Sequence, residues 1–311
     1  MRIIFMGTPE FALPSLELLL NSKHQVVGVV TQPDKPKGRG LKLSASPVKE
    51  FAESHKLKVL TPVDLKSEEF YRGLSELKPD LIAVVAFRIL PERIFSLPPK
   101  GTINLHASLL PKYRGAAPIN WSIIKGEKKT GMTTFFIQKK VDTGEIILQR
   151  DVEIEPEENC GELSLKLSKI GAEVLSETID LIDRGEVKTH LQDESGVTLA
   201  PKITDELCKI DWSKSAEEIN NLIRGLSPQP GAFTFFRGKI LKVYKAEIIS
   251  EQDGSIESGI VIKSDKSSGF QIQTGRGILR LKELQLEGKK KITADEFLRG
   301  YRIEVGEKLG E

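Results

Sequence analysis

The chain is poor in cysteine, with only Cys160 and Cys208 in 311 residues. Neither belongs to a CxxC pair or stands beside a histidine at metal-ligand spacing, which argues against a zinc site or a disulfide framework and for a reducing compartment. No apolar run approaches the roughly 18 residues needed to cross a bilayer. The opening "MRIIFMGTPEF" enters a strand-like run at once, without the longer apolar core and cleavage site of a signal peptide or the Ser/Arg bias of a transit sequence. The expectation is a cytoplasmic protein whose mature form starts near Met1. Missing too are GxGxxG, GxxxxGK[ST] and GxSxG, so no dinucleotide site, nucleoside-triphosphate site or serine-nucleophile elbow is read. Charge of one sign is scarce: 46 Lys and Arg against 44 Asp and Glu leave a net charge of +2, so any nucleic-acid contact must be local.

What is present reads as a soluble globular protein, 39% hydrophobic and 29% charged, and long enough for two domains. In the first half, "RIIFMG", "QVVGVVTQ", "DLIAVVAF" and "GTINLH" are Val/Ile-rich runs without interior charge, as in strands covered on both faces. Between them lie helix candidates at 14–21, at 47–55 after Ser46, and at 67–77 beginning with Ser67. The alternation predicts a doubly wound, mostly parallel α/β sheet, Rossmann-like in its crossovers. A short helix in "APINWSIIKG" and two neighbouring strands, "GMTTFFIQ" and "GEIILQRDVEI", precede the longest amphipathic helix, 161–185. We therefore expect a first domain over 1–185 and a linker over 186–205, which carries Pro201. A second domain over 206–311 has one short helix and brief strands between Gly, Ser and Asp turns, a small antiparallel barrel or sandwich.

In an open parallel sheet, ligands bind outside the carboxyl ends of the strands. That rule gathers Gly7-Thr8-Pro9, Phe87-Arg88, the pair Asn104 and His106, and Asp142 of "KKVDTGEI" on one rim. Two residues apart on a strand, Asn104 and His106 share a face. A carboxamide and an imidazole together can donate to a developing oxyanion, and the imidazole can move a proton while a carboxylate orients it or takes up the proton. Asp142 is the candidate carboxylate. Taken singly, His106 could be an interior histidine and Asp142 an Asx-turn residue.

"NLHASLLPKYRGAAPINWSI" followed by "VDTGEII" is similar to the signature of formyltransferases that use 10-formyltetrahydrofolate. The resemblance continues in "RIIFMGTPEFALPSLELL", "VVTQPDKPKGRGLKLSASPVKEFA" and "IRGLSPQPGAFTFFRGKILKVYKA", which resemble the methionyl-tRNA formyltransferases over residues 2 to 300 or so. It implies transfer of the formyl group of 10-formyltetrahydrofolate to the α-amino group of methionyl-initiator-tRNA by a cytoplasmic monomer without a metal, and an OB-like barrel that holds tRNA. It also implies that Asn104 and His106 stabilise the developing charge, while Asp142 holds the His106 tautomer and helps remove the ammonium proton. The folate-contacting turn falls on Ser108, Leu109, Leu110 and Pro111. Phe87-Arg88 should flank the pterin pocket, in a loop one residue shorter than in many relatives.

Lys35, Lys37, Arg39 and Lys42 lie within eight residues, interleaved with Pro and Gly. Such a run suits a flexible solvated loop, but its length between a strand and a helix beside the rim suits function better. By resemblance it inserts toward the tRNA acceptor end, Arg39 foremost. Residues 219–246 contain Arg224, Arg237, Lys239, Lys242 and Lys245 and no acid, and the basic side chains of "RGKILKVYK" are expected to share one strand face suited to phosphates. Two alternatives remain: a folate-dependent formyltransferase acting on an amino sugar or on glycinamide ribonucleotide, and a non-catalytic RNA-binding protein on the same scaffold.

Overall fold

A computed structural model describes residues 1–37, 42–252 and 257–310. Two compact units emerge: residues 1–118, 130–153 and 164–200 form the first, and residues 119–129, 154–163 and 201–311 the second.

The first unit is built on a seven-stranded sheet. Its strands are β1 (Arg2–Gly7), β2 (Gln25–Val30), β5 (Val59–Leu60), β6 (Leu81–Val85), β7 (Thr102–His106), β9 (Lys129–Phe136) and β10 (Ile146–Glu153), in the order β10-β9-β7-β6-β1-β2-β5. From β5 to β7 every pairing is parallel, and β9 runs antiparallel to β7. Alternation along β1 sends Ile4 and Met6 into one core, with Ile82, Val84, Phe70 and Leu74, while Ile3 and Phe5 are buried on the other face. Helices α1 (Leu13–Leu20), α2 (Pro47–Ser54), α3 (Glu68–Ser75) and the short α4 (Glu92–Phe95) make the crossovers, and the Ser46 and Ser67 hydroxyls cap α2 and α3 as their sequence positions suggest. Chain order reverses between β1 and β6, with β2 and β5 on one side and β6 and β7 on the other. The crevice beyond the ends of β1 and β6 is therefore the switch point where such sheets take ligands.

Two expectations change here. The basic loop is a hairpin in its described part: β3 (Lys35–Lys37) pairs antiparallel with β4 (Lys42–Ser44), and Lys49 clamps both Asp34 oxygens at 2.8 Å at its base. Arg39 lies outside the described residues. The segment 186–200 is part of the first unit and not free linker: β11 (Leu199–Ala200) pairs in parallel with β8 (Arg114–Gly115). Long-range pairing, invisible in the polar composition of the segment, binds it there.

The second unit takes α5 (Pro118–Ile124) from its second residue on, together with the first turn of α6 (Cys160–Arg184). Beyond them come α7 (Asp205–Cys208), α8 (Ala216–Leu226), β12 (Ala232–Phe236), β13 (Lys239–Ser250), β14 (Val261–Asp265), β15 (Gly269–Gln273), β16 (Ile278–Leu286), β17 (Ile292–Thr293) and α9 (Ala294–Gly300), a helix the sequence reading left out. The sheet order is β12-β13-β16-β15-β14. Its two edges are both tied by the end of the chain, since Leu309 N donates to Gly259 O and Gly310 N to Phe235 O, so the sheet closes as a small barrel. Phe270, Leu281, Leu284 and Phe297 fill it, together with Ile219 and Ile223 of α8.

Gly225 of α8 lets α5 approach. A Cβ there would meet Ile124 Cγ1 at 2.5 Å and Asn120 O at 3.0 Å, and Asn120 Nδ2 already donates to Gly225 O at 2.8 Å. Gly225→Ala must push the two helices apart and should cost about 1–3 kcal/mol of stability, read as a lowered denaturation midpoint; an unchanged midpoint would show that the contact yields freely.

Candidate active site

His106 ends β7 with its ring almost fully buried. Its Nε2 lies 2.9 Å from the carbonyl oxygen of Tyr113. A carbonyl only accepts, so Nε2 carries the hydrogen and Nδ1 is the atom left for chemistry. Nδ1 faces Asp142 Oδ2 at 3.9 Å, too far for a hydrogen bond. The backbone carbonyl therefore sets the tautomer, which corrects the expectation that Asp142 would do so. Asp142 Oδ2 instead accepts from Gly115 N at 2.9 Å, a partner 27 residues away, which removes the local Asx-turn reading. Asn104, two residues before His106 on the same strand face, is half-buried, and no hydrogen bond from its carboxamide is found among the described residues.

The loops that present these groups are tightly specified. Tyr113 and Asp142 have left-handed backbones, with φ of 60° and 54°. Gly144 closes the Asp142 loop, where a Cβ would fall on Phe136 O. The turn 108–111 is interior. Ser108 is fully buried and donates to Lys112 O at 2.6 Å, while Leu110 packs with Phe135 and Ile146, its N–H donating to Thr133 Oγ1 and its carbonyl accepting from Gln149 Nε2. Ser108 and Leu110 thus shape the turn from inside and present no side chain to a ligand; Leu109 and Pro111 are half-buried.

Phe87 and Arg88 follow β6 at the switch point. The Arg88 guanidinium donates to the Pro62 and Val63 carbonyls at 2.6 and 3.1 Å and lies 5.4 Å from the Phe87 ring. Burial lowers its pKa, with Asp64 acting in opposition. It ties the segment that follows β6 to the one that follows β5.

Sequence reasoning missed the residues that brace the site. Arg114 is 6% exposed, and its guanidinium is held by Gln192 Oε1 and by the Glu194 carboxylate, which NH2 reaches at 2.9 Å. Thr198 Oγ1 accepts from Tyr113 N at 2.9 Å. Only the Arg within "KYRG" offered a signal, since the 192–198 segment reads as polar coil.

In the second unit the basic residues do not form one face. By strand alternation Lys239 shares the side of Leu241 and Val243, Lys242 takes the opposite side, and a register irregularity around Lys245 carries that residue outward. Lys239 has no side-chain partner among the described residues, whereas Lys242 Nζ donates to Pro230 O at 2.7 Å and Lys245 lies 3.9 Å from Glu157. Arg237 is committed to Glu307 and to the carbonyl of Arg302, and the Glu307 carboxylate raises its pKa. It anchors the chain end and leaves the proposed basic face. A cavity of about 540 Å3 is lined by Pro228, Gln229, Pro230, Lys242 and Tyr244. In the first unit, Lys35 is exposed at the start of the hairpin.

Two family models match the chain in sequence. Residues 1–179 match the formyl transferase family and residues 202–302 the formyl transferase C-terminal domain. A methionyl-tRNA formyltransferase of Alkaliphilus oremlandii is 49% identical over the whole of both chains. One from Caldanaerobacter subterraneus is 49% identical, over 98% of this chain and 99% of its own. Among solved structures, the sugar 3N-formyl transferase WlaRD, in the presence of dTDP and 5-N-formyl-THF, has this fold, with a TM-score of 0.67, 21% identity, and coverage of 93% of this chain and 99% of that one.

The Arg114 brace has a pH signature. The hydrogen bond from Arg114 lowers the Glu194 pKa below its usual 4.5, so the stabilisation is complete above pH 4.5 and is lost as pH falls through the lowered folded-state value. In acid titrations followed by circular dichroism, wild type should exceed Glu194→Gln in stability above pH 4.5, and the difference should close below it.

Proposed function

The chain belongs to the formyl transferase family, and on that premise we propose that the Asn104, His106 and Asp142 cluster carries formyl transfer from 10-formyltetrahydrofolate to an amine. The acceptor is the α-amino group of methionyl-initiator-tRNA, the reaction named in relatives matched over the full chain. A cytoplasmic setting goes with that substrate, and no helix among the described residues is long and apolar enough to cross a membrane.

The observation that carries the chemistry is the contact of His106 Nε2 with the Tyr113 carbonyl, which requires a hydrogen on Nε2 and leaves the Nδ1 lone pair for an incoming amine. The bound folate supplies the formyl group on a nitrogen leaving group. His106 Nδ1 takes the proton that the amine must lose when its nitrogen bonds to the formyl carbon, and returns it to the departing folate nitrogen as the old C–N bond breaks. Asp142, 3.9 Å away, offsets the charge of the intervening imidazolium. Asn104 Nδ2 donates to the formyl oxygen as negative charge develops there. Its lack of any protein partner among the described residues supports a role toward a ligand.

Phe87 borders the switch-point crevice, where a flat pterin ring would lie, and Arg88 holds that border in place. For the tRNA we propose phosphate contacts from Lys35, Lys37 and Lys42 of the hairpin, from Arg39, which lies outside the described residues, and from Lys239, Lys242 and Lys245 of the barrel, where Lys242 lines the cavity.

Asn104→Ala and His106→Ala should each lower formylation of methionyl-initiator-tRNA about 100- to 1000-fold with the fold retained. Methionine and an amino-sugar nucleotide serve as control acceptors; formylation of the sugar nucleotide alone would overturn the assignment.

Replacing Lys239, Lys242 and Lys245 by Gln should weaken tRNA binding and flatten its logarithmic salt dependence by up to about one per lysine removed. A slope equal to that of wild type would remove the barrel lysines from the interface.

A further inference from the structure

Gln192 lies outside the reactive cluster, yet its carboxamide is used completely. Nε2 donates to the carbonyls of Asp142 and Gly144 at 2.9 and 2.8 Å, and Oε1 accepts from Arg114 Nε and NH2 at 3.0 and 2.8 Å. Because a guanidinium only donates and a carbonyl only accepts, the amide can take one orientation alone. Both segments it joins are special. One bears Asp142 in a left-handed conformation, held by its own carbonyl; the other is Tyr113-Arg114-Gly115, whose first carbonyl fixes His106 and whose last N–H holds the Asp142 carboxylate.

We infer that Gln192 is a positioning residue for the reaction: by tying the Asp142 loop to the Arg114 segment, it sets the 3.9 Å separation of His106 Nδ1 and Asp142 Oδ2. This inference rests on the catalytic reading given above. The physical ground is that the separation depends on two loops contributed by distant parts of the chain. The Gly115 N–H joins them directly through the Asp142 carboxylate, and the Gln192 amide bridges them from a third segment. The first is made to the very oxygen that faces His106; the second holds the backbone behind it. Without the amide, the Asp142 and Gly144 carbonyls lose their donor, and a left-handed Asp is free to relax toward the commoner backbone regions. Arg114 keeps Glu194, so its charge stays paired.

Substitutions separate this from a general stabilising role. Gln192→Leu removes both sets of hydrogen bonds. Gln192→Glu keeps an acceptor for Arg114 but sets a carboxylate against two carbonyls. Both should fold, with kcat for formyl transfer reduced about 10- to 100-fold and KM for the formyl-folate within about twofold of wild type, since sub-ångström misplacement of a reacting group acts on rate before affinity. The deciding measurement is a double-mutant cycle with Asp142→Asn. If Gln192 works through Asp142, Gln192→Leu should cost little further kcat in the Asp142→Asn background. Equal losses in both backgrounds, or equal losses in kcat and folate affinity, would overturn the inference. Should Gln192→Leu unfold, Gln192→Glu carries the same cycle. An Asp142→Asn enzyme with wild-type kcat would instead overturn the catalytic reading itself, so the two failures are distinguishable.

Discussion

One hydrogen bond orders the active region: His106 Nε2–H to the carbonyl of Tyr113. It leaves Nδ1 as the imidazole nitrogen that faces Asp142, and it is made from a residue 113 whose backbone is left-handed. That conformation is secured in turn from 198, where Thr198 takes the Tyr113 N–H, and from the pairing of 199–200 with 114–115. The candidate site thus rests on backbone geometry fixed by a strand pairing across 85 residues of sequence. The carboxylate contributes charge and leaves orientation to the peptide.

The arrangement also accounts for the division of labour within "NLHASLLPKYRG". Its polar ends, Asn104 and His106 on one side and Tyr113 to Gly115 on the other, frame the reactive space. The Ser-Leu-Leu-Pro turn between them is partly buried, with the Ser108 hydroxyl and Leu110 both satisfied inside the fold. A motif of this length reads as a ligand contact in sequence because its residues are unusual together. In space much of that unusualness goes into holding the two ends at the right separation.

Much of the fold was legible because it follows from local periodicity. Charge-free Val/Ile runs gave the parallel strands, Ser46 and Ser67 gave helix starts, and strand parity put Asn104 and His106 on one face. What escaped depends on contacts distant in sequence. Gln192, Glu194 and Thr198 sit in a polar segment whose partners lie 48 to 85 residues away. Lys239 and Lys242 were assigned to one face although an odd spacing separates them, and a register irregularity repairs the alternation only at Lys245. Helix α9 is short and begins with an acidic turn that resembles the preceding loops, its identity resting on the Thr293 and Glu296 capping box and on Phe297 in the barrel core.

The discontinuous make-up of the second unit has a consequence in time. Segments 119–129 and 154–163 leave the ribosome long before α8 and the barrel to which they belong, and the barrel edges close only with residues 307–310. At bacterial rates of about 5–20 residues per second, Ile124 and the first turn of α6 wait roughly 10–30 s for the last of their unit. The first unit has all its pieces by residue 200. Maturation of this chain is therefore paced by its second half, and a nascent chain stalled after residue 200 would carry a complete first unit while segments 119–129 and 154–163 still await their core.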